Sequence, residues 1–222
     1  GNTVVIKPSE YTPLTTLRAV ELINDLLPPG VLNIVTGDGS VGAAMSAHPD
    51  INKMVFTGST ATGKKIMASA AGTLKRVTLE LGGNDAAIVL ADTNVEEAAP
   101  KIFATAMLNN GQTCAALKRL YVHEDIYDDM CQALAAIAGS VTTGDGSGDV
   151  DFGPIQNKMQ FDRVCELARE ARDSGAKFLT GGEVTAERGY FYPVTIVADI
   201  PDDTRLVQEE PFGPILPILK FN

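Results

Sequence analysis

Over its first eighty residues the chain alternates short apolar runs with stretches whose apolar positions recur at helical spacing. Thr3–Lys7 (TVVIK) is predicted as a buried strand closed by Pro8. Thr12-Pro13 then opens a helix in which Leu14, Leu17, Val20 and Leu27 recur at roughly helical spacing, and Pro28-Pro29-Gly30 stops it. A strand over Val31–Val35, a short helix over Val41–Ala47, a strand over Lys53–Thr57 and a helix over Ser59–Ala70 come next. Strands alternating with helices imply parallel pairing through right-handed crossovers. Three such strands make half of a doubly wound sheet.

From Arg76 the texture changes. Arg76–Leu81 and Ala86–Leu90 are strand-like and flank the turn Gly82-Gly83-Asn84. Helices are predicted over 95–109, 126–139 and 157–173, with strands near Leu120–His123 and Lys177–Leu179. Pro100 predicts a kink or a later start for the first of these helices. Gly144–Gly148 reads as a surface loop, and Tyr190–Phe221 as strand-rich chain interrupted by Gln208–Pro214. A second α/β unit therefore begins near residue 83.

Composition narrows the function classes. The formal charge of −10 and the lack of a basic block argue against a nucleic-acid partner. They leave nucleotide cofactors open, since backbone amides can hold phosphates. Three cysteines do not make a disulfide framework, so reduced thiols and a cytoplasmic setting are expected. No apolar run approaches a membrane span and no metal site is expected. The chain opens on Gly1-Asn2 without methionine and reads as an incomplete piece.

Several segments could carry chemistry. Gly37-Asp38-Gly39-Ser40-Val41-Gly42 matches GxGxxG between a strand and a helix, but the next strand ends Val55-Phe56-Thr57-Gly58 without the acid that would hold a ribose. A pyrophosphate cradle and a tight strand-to-helix turn both satisfy it. Phe56-Thr57-Gly58-Ser59-Thr60 also places Gly, Ser and Thr at a helix start, suited to an anion or to simple capping. Lys7-Pro8-Ser9-Glu10 ends the first strand, at the sheet edge where parallel sheets bind ligands. A carboxylate there would accept from ribose hydroxyls, although a plain surface charge pair gives the same pattern. Glu80 ends an apolar strand, where a carboxyl lining an apolar wall is pushed up and suits a general base, unless it simply pairs with Arg76. Cys114 follows a Gly-Gln-Thr turn that could open a short helix, whose N–H groups would favour a thiolate. A small buried hydrophobe is the alternative.

Together these segments resemble the aldehyde dehydrogenase superfamily. KPSE (from Lys7), PPGVLNIV (from Pro28), FTGST (from Phe56), LELGG (from Leu79), GQTC (from Gly111), GYFYPVTI (from Gly189) and EEPFGP (from Glu209) occur in that family's order and approximate spacing, and they cover essentially the whole chain. The resemblance implies a partial Rossmann-like parallel sheet, over 1–82, as the second half of a cofactor-binding domain. It implies an α/β catalytic part over 83–222. Cys114 would be the nucleophile and Glu80 the base that activates water against a thioester. Lys7, Ser9 and Glu10 would hold the adenosine ribose, and Gly58 and Ser59 the pyrophosphate. Leu81 would lie near the nicotinamide, and Glu210 with Phe212 would hold its ribose. The cofactor would be NAD, with NADP possible, and the substrate a small aldehyde.

The resemblance also implies what is elsewhere. Family members carry an asparagine in a Pro-Trp-Asn-Phe-Pro segment upstream, whose amide completes an oxyanion hole with the cysteine N–H. This chain has no tryptophan, and the 222-residue piece alone is expected to be inactive and to expose an apolar sheet edge. The parent would be a homo-oligomer. The competing expectations are a coenzyme A-acylating relative, in which Glu80 is dispensable, and a non-catalytic nucleotide-binding or scaffold remnant.

Overall fold

The computed structural model describes every residue of the chain except Glu187, and the chain divides into two compact units, Gly1–Leu81 and Gly82–Asn222. In the first, β1 (Val4–Ile6) is followed by α1 (Pro13–Asn24), with Pro13 in the opening turn, where its missing N–H costs no helical hydrogen bond. The helix stops at Asn24, so Leu27 lies in the turn that leads to Pro28-Pro29 rather than on the helix. β2 (Leu32–Ile34) runs parallel to β1, with Val4 opposite Leu32 and Ile6 opposite Ile34. α2 (Gly39–Ala47) is capped by the Asp38 carboxylate, which accepts from the Ser40 N–H at 2.9 Å. β3 (Lys53–Gly58) runs into α3 (Thr60–Ala71), and β4 (Arg76–Leu81) returns parallel to β3. The expected parallel pairing is thus found, as two separate two-stranded sheets. The buried apolar residues here are Val20, Met54, Ile66 and Ala70. Lys75 is also buried, its ammonium donating to the His48 carbonyl at 2.7 Å.

The second unit contains β5 (Ala86–Val89), α4 (Val95–Ala106), β6 (Arg119–His123), α5 (Tyr127–Ser140), α6 (Lys158–Asp173), β7 (Lys177–Thr180), β8 (Thr195–Ala198), α7 (Arg205–Gln208) and β9 (Ile215–Phe221). α4 begins at Val95 and runs through Pro100, so the proline does not delay its start. Asn94 caps it by accepting from the Glu97 N–H, and two acids occupy the first turn. One five-stranded sheet runs β5-β6-β9-β8-β7, parallel except for the antiparallel β7–β8 pair at its edge.

The period-two alternation of side chains explains the two cores of this unit. Leu120 and Val122 of β6, Ile196 and Ala198 of β8, and Leu216 and Ile218 of β9 belong to one buried cluster with Phe103 of α4 and Met130 and Leu134 of α5. Val197 of β8 and Ile215 and Leu219 of β9 belong to the other, with Val164, Leu167 and Ala171 of α6 and Leu206 of α7. β8 and β9 are thus buried on both faces.

Candidate functional site

In the first unit, Lys7 and Glu10 come together just after β1. The Lys7 ammonium donates to the carbonyls of Pro8 at 2.9 Å and Gly37 at 3.0 Å and faces the Glu10 carboxylate at 3.6 Å. Ser9 accepts from the Tyr11 N–H through its hydroxyl, at 3.3 Å. The GxGxxG segment therefore has its first glycine carbonyl taken by Lys7. Its helix N-terminus is occupied by the negative Asp38 side chain, held below the usual carboxylate range by the Ser40 hydroxyl and N–H. An anion has little reason to settle there.

The start of α3 differs. Its cap is the neutral Ser59 hydroxyl, accepting from Thr62 N–H at 3.2 Å, and Gly58 before it carries no side chain. The N–H groups of a helix's first turn with no charged cap form a positive end suited to phosphate. Glu80 and Leu81 close β4, opposite Thr57 and Gly58 of β3. Glu80 is exposed and has no ion pair with Arg76 among the described residues. The apolar wall expected around it is thus not supplied by the first unit.

In the second unit Cys114 is exposed on a turn between α4 and β6. The short helix expected after it does not form. Asn109, Asn110 and Gly111 have φ of 51°, 60° and 70°, three successive left-handed residues that reverse the chain after α4. The chain then makes a turn closed by the Ala116 N–H on the Thr113 carbonyl at 3.0 Å. Gly111 is required at this point, because a Cβ on it would come 2.2 Å from the Gly213 carbonyl oxygen. Three side chains peg the loop: Asn110 donates to Gly153 O, Gln112 accepts from the Gln156 N–H, and Thr113 donates to Leu108 O.

Glu210 and Phe212 meet this turn from the segment before β9. The Glu210 Oε1 accepts from the Gly83 N–H at 3.3 Å and faces the Lys118 ammonium at 3.8 Å. Its Oε2 lies so close to Gly82 that a Cβ there would stand 2.0 Å away. Burial pushes the Glu210 carboxyl up, while the Gly83 N–H and Lys118 pull it back down. Phe212 takes φ 47° between Pro211 and Gly213, with its ring centroid 5.9 Å from the Lys118 ammonium. Behind it, Glu209 is held down to about 2 by Arg205 and Arg163, and Gln160 donates to the Pro211 carbonyl at 2.7 Å. Lys118 is thus a part of this cluster that the motifs alone do not pick out, and Gly83 of LELGG joins it through its backbone N–H. A lysine following Ala115-Ala116-Leu117 in an apolar stretch was the available signal.

The aldehyde dehydrogenase family profile matches residues 1–222, the full chain. The chain belongs to the aldehyde dehydrogenase family. An aldehyde dehydrogenase of Alternaria alternata is 46% identical over all of this chain, which spans 45% of that relative. Among solved structures, a variant of aldehyde dehydrogenase C from Pseudomonas syringae, complexed with NAD+ and octanal, superposes with a TM-score of 0.95 at 37% identity, over 99% of this chain and 47% of that one. An NADP-dependent enzyme of Escherichia coli superposes equally well, with a TM-score of 0.95 at 36% identity, over 99% of this chain and 46% of its own. The chain thus spans about half the length of the aldehyde dehydrogenases it matches, with the same α/β fold and parallel sheets.

A nicotinamide dinucleotide, the cofactor such relatives hold, fits the residues present. The positive end of α3, with its neutral cap, suits the diphosphate. In the same unit Glu10, with nearly half its side chain exposed, can offer carboxylate oxygens to a ribose hydroxyl. Among the described residues no group of three or more His, Cys, Asp or Glu could hold a metal ion, and no helix is long and apolar enough to cross a membrane.

Proposed function

We propose that the whole protein oxidises an aldehyde to a carboxylic acid through a thioester on Cys114. The observation that carries this reading is the state of the three cysteines within a family of aldehyde dehydrogenases. Cys114 is exposed on a pegged turn beside Glu210, whereas Cys131 is buried, its thiol pushed up to about 11 by burial, and burial raises the half-buried Cys165 as well. The Cys114 sulfur attacks the aldehyde carbon, and the carbonyl oxygen becomes the oxyanion of a thiohemiacetal. NAD, or NADP, supplies the hydride acceptor. Loss of hydride from the thiohemiacetal carbon leaves a thioester on the sulfur. Glu80 takes a proton from the water that attacks this thioester, the thiolate leaves, and the acid is released.

Lys7, Ser9 and Glu10 hold the adenosine ribose in this reading, and Gly58 and Ser59 with the end of α3 hold the diphosphate. Leu81 would lie near the nicotinamide, and Glu210 with Phe212 would hold its ribose. Glu10 favours NAD, because a 2′-phosphate would meet its charge. The octanal bound to the Pseudomonas relative places unbranched aliphatic aldehydes first among substrates to try. The test is NADH formation by the full-length protein with an aldehyde panel, in Cys114→Ala and Glu80→Gln variants. Cys114→Ala is expected to show no turnover while its NAD affinity stays within about threefold of the unsubstituted protein. Glu80→Gln should keep a stoichiometric NADH burst and lose steady-state rate. Turnover by Cys114→Ala near the original rate sinks the nucleophile, and loss of the burst in Glu80→Gln sinks the division of roles.

A further inference from the structure

Lys118 is the one lysine in the second unit that is fully buried among the described residues, and it lies immediately before β6, beside the thiol turn. A buried ammonium is costly unless every donor finds an acceptor. Here the acceptors are the backbone of the turn itself. The Lys118 Nζ donates to the carbonyls of Thr113 and Ala116, the latter at 2.9 Å, and reaches the Cys114 carbonyl at 3.5 Å. Its remaining neighbours are the Glu210 carboxylate at 3.8 Å and the Phe212 ring. Its own backbone N–H is tied to the Asp85 carbonyl at 3.0 Å.

We propose that Lys118 is a positioning residue that fixes the Cys114 turn around a buried positive charge and ties that turn to Glu210. This rests on Cys114 being the nucleophile proposed above. The geometry gives the residue two effects. Three carbonyls of one turn converge on one ammonium, so the sulfur's backbone cannot drift without breaking bonds inside the core. The same cation faces Glu210 and anchors the turn that carries Cys114, so it would attract negative charge developing at the sulfur as it reacts. Burial pushes Lys118 down, and Glu210, Asp85 and Cys114, the titratable groups facing it, push it back up. The charge therefore depends on those acids remaining in place.

Alkylation of Cys114 by iodoacetamide in the full-length protein, followed by peptide mass mapping with Cys165 as internal reference, tests this without cofactor or aldehyde. Lys118→Met is expected to slow Cys114 on the order of tenfold, through loss of the turn's anchor and of a nearby positive charge. Cys165 should keep its rate. Lys118→Arg, which retains charge and donors, should lie closer to the unsubstituted protein than to Lys118→Met. If Lys118→Met does not fold, seen as alkylation of the buried Cys131, Lys118→Gln carries the same expectation, since its amide can serve the carbonyls without charge. A Cys114 rate within about twofold of the original in the uncharged variant, or equal slowing in the Arg and uncharged variants, overturns the proposal. NADH formation by the unsubstituted protein decides the oxidising function separately. Its failure would leave the alkylation result still decisive for Lys118.

Discussion

In the second unit, β8 and β9 bury side chains on both faces, and Leu120, Ile196, Leu216 and Ile218 have no exposed surface at all. In the first, β1–β2 and β3–β4 are isolated pairs whose Val4, Val5 and Val55 stand exposed, and α1 leaves Leu14, Leu22 and Ile23 in solvent. The sequence pattern is equally regular in both. Alternation states which face needs a second layer, but not whether that layer is available within the same unit. Two-stranded pairs are marginal by themselves.

The largest expected effect separates the units directly. Ile218→Ala should cost about 2–5 kcal/mol of unfolding free energy, whereas Val55→Ala, at 66% exposure, should stay within about 0.5 kcal/mol. Urea denaturation followed by circular dichroism and tyrosine fluorescence measures both. Equal costs would erase the contrast. A middle-sized effect is expected from two glycines with similar backbones. A Cβ on Gly30 (φ 82°) would meet nothing within 4 Å, so Gly30→Ala bears only the cost of the left-handed conformation, about 1–2 kcal/mol. Gly111→Ala adds a collision with Gly213 to that cost, and should also slow Cys114 chemistry.

The smallest effect is electrostatic. Glu209 in the second unit is held at about 2, below its ordinary 4.5, by Arg205 and Arg163. A depressed carboxyl contributes stability that is fully present above its unfolded value and is lost as pH falls towards its folded one. The urea midpoint of the second unit should therefore fall between pH 4.5 and about 2, and Glu209→Gln should flatten that slope. With over a third of the side chain exposed, screening keeps the contribution below about 1 kcal/mol. An unchanged slope in the variant would assign the acid sensitivity to other carboxyls.

Much of this was legible because it is local. Pro13 and Ser59 mark helix starts, Asp38 and Asn94 cap as their residue types suggest, and Cys114, Glu80 and Glu210 sit in segments whose order carries the family resemblance. The features that were not legible depend on distant partners. The turn at Cys114 replaces a helix because Asn109-Asn110-Gly111 turn left-handed against Gly213, about a hundred residues further on in the chain. The α7 turn is too short to show a period. Lys118 reads as a surface lysine until its three acceptor carbonyls are placed, and the Gly83–Glu210 bond joins residues no motif connects. Glu80 shows the reverse case, a residue on a strand read at its observed bounds whose side chain is nonetheless exposed.

The crossing of Gly111 and Gly213 has an evolutionary consequence. A Cβ on Gly111 strikes the Gly213 carbonyl, and one on Gly213 would come 2.6 Å from Val164, so neither can be enlarged on its own. In a library of random variants both positions should stay glycine under selection for a folded protein, even in variants whose Cys114 has been lost. Mutational intolerance there would report the route of the chain rather than its chemistry.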